Sequence, residues 1–173
     1  MEVGFAQGYM TRILGIFFRF IILVFVFQHA VISMTLIDGP SMEPYFSDQD
    51  RAVILKFAYF FQTPQRGDVI QSYHPTQKET FITKRIIGLP GETVTITNNG
   101  VLIEGVDQST TNMLVEPYLA VGTPTTVQPD QPYRFTIPAH EYFVLGDNRM
   151  VSSDSRAFGT VHRKFINGKV ISL

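Results

Sequence analysis

The sequence predicts a mainly β fold, a β-rich domain over residues 35–173 behind one N-terminal helix. Three observations point there. Residues 13–37 read ILGIFFRFIILVFVFQHAVISMTLI, an apolar run on the scale of the ~20 residues a bilayer core requires. From residue 51 onward, short β-branched and aromatic runs alternate with Gly, Pro and Asn punctuation. No later stretch carries a helical period longer than a few turns.

Composition narrows the class. The chain has 173 residues, room for one span and one domain able to bury a core. Hydrophobic residues make up 45%, Phe occupies 15 positions and charged residues reach 17%, which excludes a disordered or nucleic-acid-binding composition. A net charge of -1 gives no electrostatic steering, and the absence of Cys excludes a disulfide scaffold and thiol chemistry. His29, His74, His140 and His162 lie far apart without zinc-ligand spacing. No metal and no cofactor is expected.

In chain order, the helix comes first. Arg12 precedes the apolar run and Arg19 interrupts its start; a long arginine snorkels toward headgroups, and cationic flanks stay cytoplasmic. Residues 1–12 are therefore expected inside, 13–34 as a single-pass anchor in the phospholipid plasma membrane, and 35–173 outside. The alternative is a cleaved signal peptide, with Val31 and Ser33 as its small residues. An Ala-x-Ala site is missing and the apolar pattern continues past that pair, which favours an uncleaved anchor. A buried core helix lacks support because no polar face repeats.

Strands follow. RAVILKFAYF (51–60) is a dense apolar run, GDVIQSY begins another strand at Gly67, and TFITKRIIGL (80–89) alternates before turning apolar. In TVTITNNGVLIEG, Thr alternates with Val94 and Ile96, Asn99-Gly100 offers positive φ for a tight turn, and Val101 to Ile103 returns, predicting a hairpin. VGTPTTVQPDQP (121–132) reads as an exposed loop or weak strand pair.

Ser41, in GPSMEP, stands on a stiffened segment: Pro40 fixes its own φ and pushes Gly39 toward extended geometry, and Pro44 restricts Glu43. Stiffness suits a positioned nucleophile, although on these six residues alone an ordinary turn serine is the commoner outcome. A serine needs a base, and His or a desolvated Lys supplies one. His74 and His140 lie in polar turns without an orienting acid. Lys84 sits in an apolar strand among Phe81, Ile82, Ile86 and Ile87, where burial lowers an amine pKa from ~10.4. The competing outcome is a half-buried lysine whose head reaches solvent.

GPSMEP around Ser41, GDVI at 67–70, TKRIIGLPGE around Lys84 and YFVLGDNRMVSSDSRAFGTV at 142–161 together resemble, in order, the sequence boxes of bacterial type I signal peptidases. The resemblance runs from the apolar run to residue 161 and is weakest over 105–133. It implies a membrane-anchored serine endopeptidase that removes signal peptides from exported preproteins, with preprotein signal peptides and the membrane as partners and no nucleic acid. By the same resemblance, Ser41 is the nucleophile and Lys84 the general base. Ser152 hydrogen-bonds and orients the lysine, Asp154 and Arg156 tie the loop together, and Gly146, Asp147 and Asn148 form a supporting turn. Met34, Thr35, Leu36, Ile37, Asp38, Gly39 and Pro40 on one side, and Phe81, Ile82 and Thr83 on the other, would hold an extended substrate between two strands. Met42 is expected either in an apolar platform touching the bilayer or in the core. Gly39 departs from enterobacterial relatives, which carry a hydroxyl residue there; the oxyanion then depends mainly on backbone N–H groups, beginning with that of Ser41.

Other readings share parts of the pattern. Mitochondrial inner-membrane peptidases share the dyad, but SSDSRAFG favours the bacterial branch. Self-cleaving repressors of the DNA-damage response share the chemistry yet carry a DNA-binding domain in place of the apolar run. A partner-binding β module without catalysis would not need Ser41 and Lys84 together.

Overall fold

A computed structural model describes residues 3–77, 79–107, 110–120, 122–125 and 133–173, with the side chains of 3–9, 11 and 28–30 outside that description. Most of the loop expected at 121–132, namely 121 and 126–132, therefore lies outside the described residues.

The opening helix α1 (Val3–Val31) passes directly into β1 (Ile32–Leu36). The helical anchor expected over 13–34 thus ends three residues early, because Ile32 to Leu36 pair antiparallel with Leu55 to Arg51 and their backbone groups are taken up by that ladder. The described side-chain stretch of α1, 12–27, is shorter than the ~20 residues of a span and includes Arg12 and Arg19. Among the described residues no helix is long and apolar enough to cross a membrane.

The strands that follow are β2 (Arg51–Leu55), β3 (Val69–Tyr73), β4 (Phe81–Gly88), β5 (Thr93–Thr97), β6 (Gly100–Glu104), β7 (Thr111–Met113), β8 (Tyr133–Thr136), β9 (Glu141–Leu145), β10 (Val161–His162) and β11 (Ile166–Ser172). A short α-helix, α2 (Ser155–Phe158), lies between β9 and β10. The strands form a seven-stranded sheet ordered β1-β2-β11-β3-β4-β9-β10 and a four-stranded sheet ordered β7-β6-β5-β8. A mainly β architecture is what the alternation predicted.

Two local expectations shift. The apolar run 51–60 is strand only to Leu55; residues 56–59 turn into a 3-10 helix, drawn inward as the Tyr59 hydroxyl donates to Asp68 at 2.9 Å and Arg163 Nη2 donates to the Tyr59 carbonyl at 2.8 Å. The hairpin of β5 and β6 forms, but Thr97 pairs with Gly100, so Asn98 and Asn99 make the two-residue turn and Gly100, at φ 133°, opens the returning strand.

The inward positions of β5 and β6, Val94, Ile96, Val101 and Ile103, pack with Ile87, Ile137, Phe143 and Leu145 to join the two sheets. Gly88 makes that junction close: a Cβ there would lie 2.3 Å from Ile137 Cδ1 and 2.5 Å from Val94 Cγ2. A second cluster, Ile37, Met42, Phe46, Ala52, Ile54, Val69 and Val170, underlies the loop after β1. A third, including Ile70, Ile86, Tyr142 and Val144, lies where β3, β4 and β9 meet. The second and third clusters fix, from below, the loop of Ser41 and the strand of Lys84.

Candidate active site

Ser41 sits in a 3-10 turn over Pro40–Met42 entered through Gly39, whose φ of 79° belongs to the left-handed region that glycine tolerates. The Gly39 N–H donates to Asp48 Oδ1 at 2.7 Å, which fixes the entry peptide. Met42 is completely buried. Of its two expected environments it takes the core, because its side chain anchors the turn from beneath. Ile37, expected along the substrate, is 1% exposed and belongs to the same cluster, so its side chain is not presented to a bound peptide.

Lys84 enters from β4 opposite Ile70 and is 6% exposed. Its Nζ lies 2.8 Å from Ser41 Oγ. Burial pushes the ammonium pKa down from 10.5 to about 8, against the pull of Asp154 and Asp147, which favours the charged form. Phe81 contributes less to this enclosure than its sequence position suggested. It is exposed at the start of β4, 4.4 Å from the ring of Tyr73. His74 accepts from the Thr76 and Gln77 backbone N–H groups, and its pKa is lowered by partial burial and then by Lys84. His140 is an exposed turn residue with φ 65°.

The loop after β9 completes the arrangement. Asn148 N–H donates to the Ser41 carbonyl at 3.1 Å. Gly146 N–H donates to Asp154 Oδ2 at 3.0 Å, and Arg156 Nε and Nη2 each donate to the Asp154 carboxylate at 2.8 Å. Asp147 instead accepts from Arg85 Nε at 2.8 Å and from Arg85 Nη2. Ser152 departs from expectation: its Oγ is buried with no hydrogen-bond partner among the described residues. The hydroxyl is packed against Gly146, where a Cβ would come within 2.2 Å of it and 2.5 Å of the Ser41 carbonyl oxygen. Lys84 Nζ is directed to Ser41.

Along the expected substrate path, Met34 and Leu36 are exposed on β1, an edge strand, with Thr35 half-buried between them; Asp38 and Pro40 are exposed and Gly39 is half-buried. Phe81, Ile82 and Thr83 pair with β3, whereas β9 pairs with β4 only from Arg85 onward. Among the described residues, 81–83 thus keep one strand edge outside the ladder.

Sequence reasoning missed Arg85, Glu116, Tyr118 and Arg149. The Arg85 guanidinium lies 4.7 Å from the Tyr45 ring centroid and 4.0 Å from that of Tyr118. The signal for it was present, since two adjacent cations in an apolar strand require a counter-charge. For Glu116 and Tyr118 no local pattern announced a role. Among the described residues no group of three or more His, Cys, Asp or Glu is arranged to hold a metal ion.

This geometry has relatives. The family described as "Signal peptidase, peptidase S26" matches residues 10–173. Signal peptidase I of Leptolyngbya laminosa is 38% identical over 78% of this chain, which spans 64% of that protein's length. Signal peptidase I V of Bacillus subtilis (strain 168) is 31% identical over 87% of this chain and 90% of its own. A crystal structure of a signal peptidase I from Enterococcus faecalis V583 superposes with a TM-score of 0.51 at 32% identity, covering 64% of this chain and 98% of the other.

Proposed function

The chain belongs to the signal peptidase family, peptidase S26, and is a serine endopeptidase that cleaves signal peptides from exported preproteins; we propose that Ser41 is its nucleophile and Lys84 its general base. One observation carries the assignment of roles: a buried amine 2.8 Å from a serine hydroxyl, with its pKa lowered to about 8. In the neutral state the Lys84 lone pair accepts the Ser41 proton as Oγ attacks the scissile carbonyl. Lys84, now an ammonium, returns that proton to the departing amine. A water that loses its proton to the neutral amine then hydrolyses the acyl-enzyme.

The oxyanion falls to backbone donors, with the Ser41 N–H first among them. Gly39 supplies no side chain, and its own N–H is already given to Asp48. An extended preprotein segment adds to the free edge at 81–83 and lies against Thr35, Leu36, Asp38, Gly39 and Pro40. Asp154 with Arg156, and the turn Gly146, Asp147 and Asn148, hold the loop that supports Ser41.

The apolar helix α1 is the proposed anchor, with the N-terminus cytoplasmic and the catalytic domain outside. This is supported by the large exposed apolar side chains along 13–27 and by Arg12 at their N-terminal side. Cleavage of a model preprotein, with N-terminal sequencing of the product, tests activity and site choice together. Cleavage that persists unchanged in Ser41→Ala would remove the nucleophile assignment.

A further inference from the structure

Residues 114–120 and 122–125 take no part in the steps above, yet they fasten to both reacting elements. The start of this segment is held to the four-stranded sheet, where Leu114 N–H donates to the Val101 carbonyl at 2.8 Å. Its far side meets Arg149, whose side chain is wholly buried. Arg149 Nε donates to the Gly146 carbonyl at 3.1 Å, Nη1 to Thr125 Oγ1 at 2.9 Å and to Glu116 Oε2 at 3.2 Å, and Nη2 to Glu116 Oε1. Arg156 adds a second clasp, with Nη1 donating to the Thr125 carbonyl and Nη2 to the Arg149 carbonyl, each at 2.7 Å.

The same glutamate also reaches the base strand. Tyr118 donates its hydroxyl to Glu116 Oε1 at 2.7 Å, and its ring lies against the guanidinium of Arg85, the residue after Lys84 and the partner of Asp147. Two lines therefore converge on one carboxylate. One runs through Arg149 to Gly146 and on to the turn whose Asn148 N–H holds the Ser41 carbonyl. The other runs through Tyr118 and Arg85 to the strand of Lys84.

We propose that residues 114–120 and 122–125 form a strap that sets the loop 146–152 against Ser41 and Lys84, and that Glu116 is its positioning residue. The inference rests on the reading of Ser41 and Lys84 as the reacting pair. A buried guanidinium demands a counter-charge and fixed acceptors. With Glu116, Thr125 and the Gly146 carbonyl all engaged, the loop is restricted to the arrangement that places its peptide on Ser41. The hydrogen bonds described for the strap go to Val101, Arg149, Arg156 and its own residues, and not to the strand edge expected to receive substrate. Loss of the strap therefore misplaces the reacting groups without removing a binding contact.

The test is steady-state cleavage of a model preprotein by the full chain in detergent micelles, with Tm measured for each variant. Glu116→Gln and Tyr118→Phe are expected to lower kcat about 10-fold, within the range that sub-ångström to ångström misplacement produces, with KM changed less than about twofold. The double variant Glu116→Leu/Arg149→Met separates positioning from stability, because apolar replacement of a buried pair is often neutral or stabilising. It is expected to keep a Tm close to wild type while kcat remains at least about 10-fold low. Wild-type kcat in any of the three when folded, or a loss confined to KM, overturns the strap. Should the double variant fail to fold, the two single variants decide by the same criteria. Wild type and Ser41→Ala run alongside: absence of Ser41-dependent cleavage in wild type removes the dyad and the strap with it, whereas an active wild type with fully active strap variants removes the strap alone.

Discussion

A lysine that must accept a proton at neutral pH has to be kept out of water, and Lys84 is kept out by its place in β4 over the core of Ile70, Ile86 and Val144. Its lowered pKa, about 8, gives a signed expectation: kcat/KM rises with pH through about 8 as the neutral amine accumulates, and the limb persists in His74→Ala and His140→Ala. A limb lost with either histidine would move the base role away from Lys84. Ser41→Ala should abolish processing, and Lys84→Ala should lower it by about 10²- to 10⁴-fold, the usual contribution of a positioned general base. The same shift bears on stability. Between pH 8 and 10.5 the unfolded chain binds the Lys84 proton and the folded chain does not, so this group's contribution to stability rises with pH there, and its penalty is fully present below pH 8. Lys84→Met is therefore expected to unfold at higher denaturant than wild type at pH 7, with the gain shrinking as the pH approaches 10.5. A constant gain across that window would mean the charge was never the cost.

At the scale of elements, the loop after β9 works through what it omits. Gly146 has no Cβ where the Ser152 hydroxyl and the Ser41 carbonyl crowd it, so Gly146→Ala should push Ser41 from Lys84 and reduce kcat by about 100-fold, as ångström misplacements do. A folded, fully active Gly146→Ala would show that the loop yields without disturbing the nucleophile. Gly88→Ala meets the inter-sheet core instead. It is expected to cost about 1 to 3 kcal/mol of stability by overpacking, read from denaturant midpoints, with kcat little changed. Sequence made some elements plain and not others. The β5–β6 hairpin was legible because its alternation and turn residues are local, and GPSMEP and TKRIIG announced Ser41 and Lys84 through motif order. The end of α1 was not, since 32–36 is as apolar as the helix before it and becomes strand only through pairing with β2. Nor was the 3-10 turn at 56–59, which depends on Asp68 and Arg163 far along the chain. Ser152 was read as a lysine partner from its motif position, and only three-dimensional packing against Gly146 reveals a hydroxyl without a bond among the described residues.

The whole molecule divides into a sheet body and a projecting helix. Among the described residues, the three core clusters contain nothing from α1, whose main contacts fall on β1 and the turn 56–59. Ile16, Phe20 and Phe27 are each more than 60% exposed, and contiguous exposed apolar side chains mark an interaction surface. Because β1 begins at Ile32, a chain lacking residues 1–31 keeps every described ladder of both sheets. Such a chain is expected to unfold within a few degrees of the full protein and to stay in solution without detergent. The full chain should float with phospholipid vesicles, and at equal concentration should process a vesicle-bound preprotein faster than the truncated chain. Flotation assays of both forms, together with cleavage in the presence and absence of vesicles, make the comparison. Full-length chain left at the bottom of the gradient would rule out α1 as the anchor, and a truncated chain that cannot fold would show that the helix belongs to the body after all.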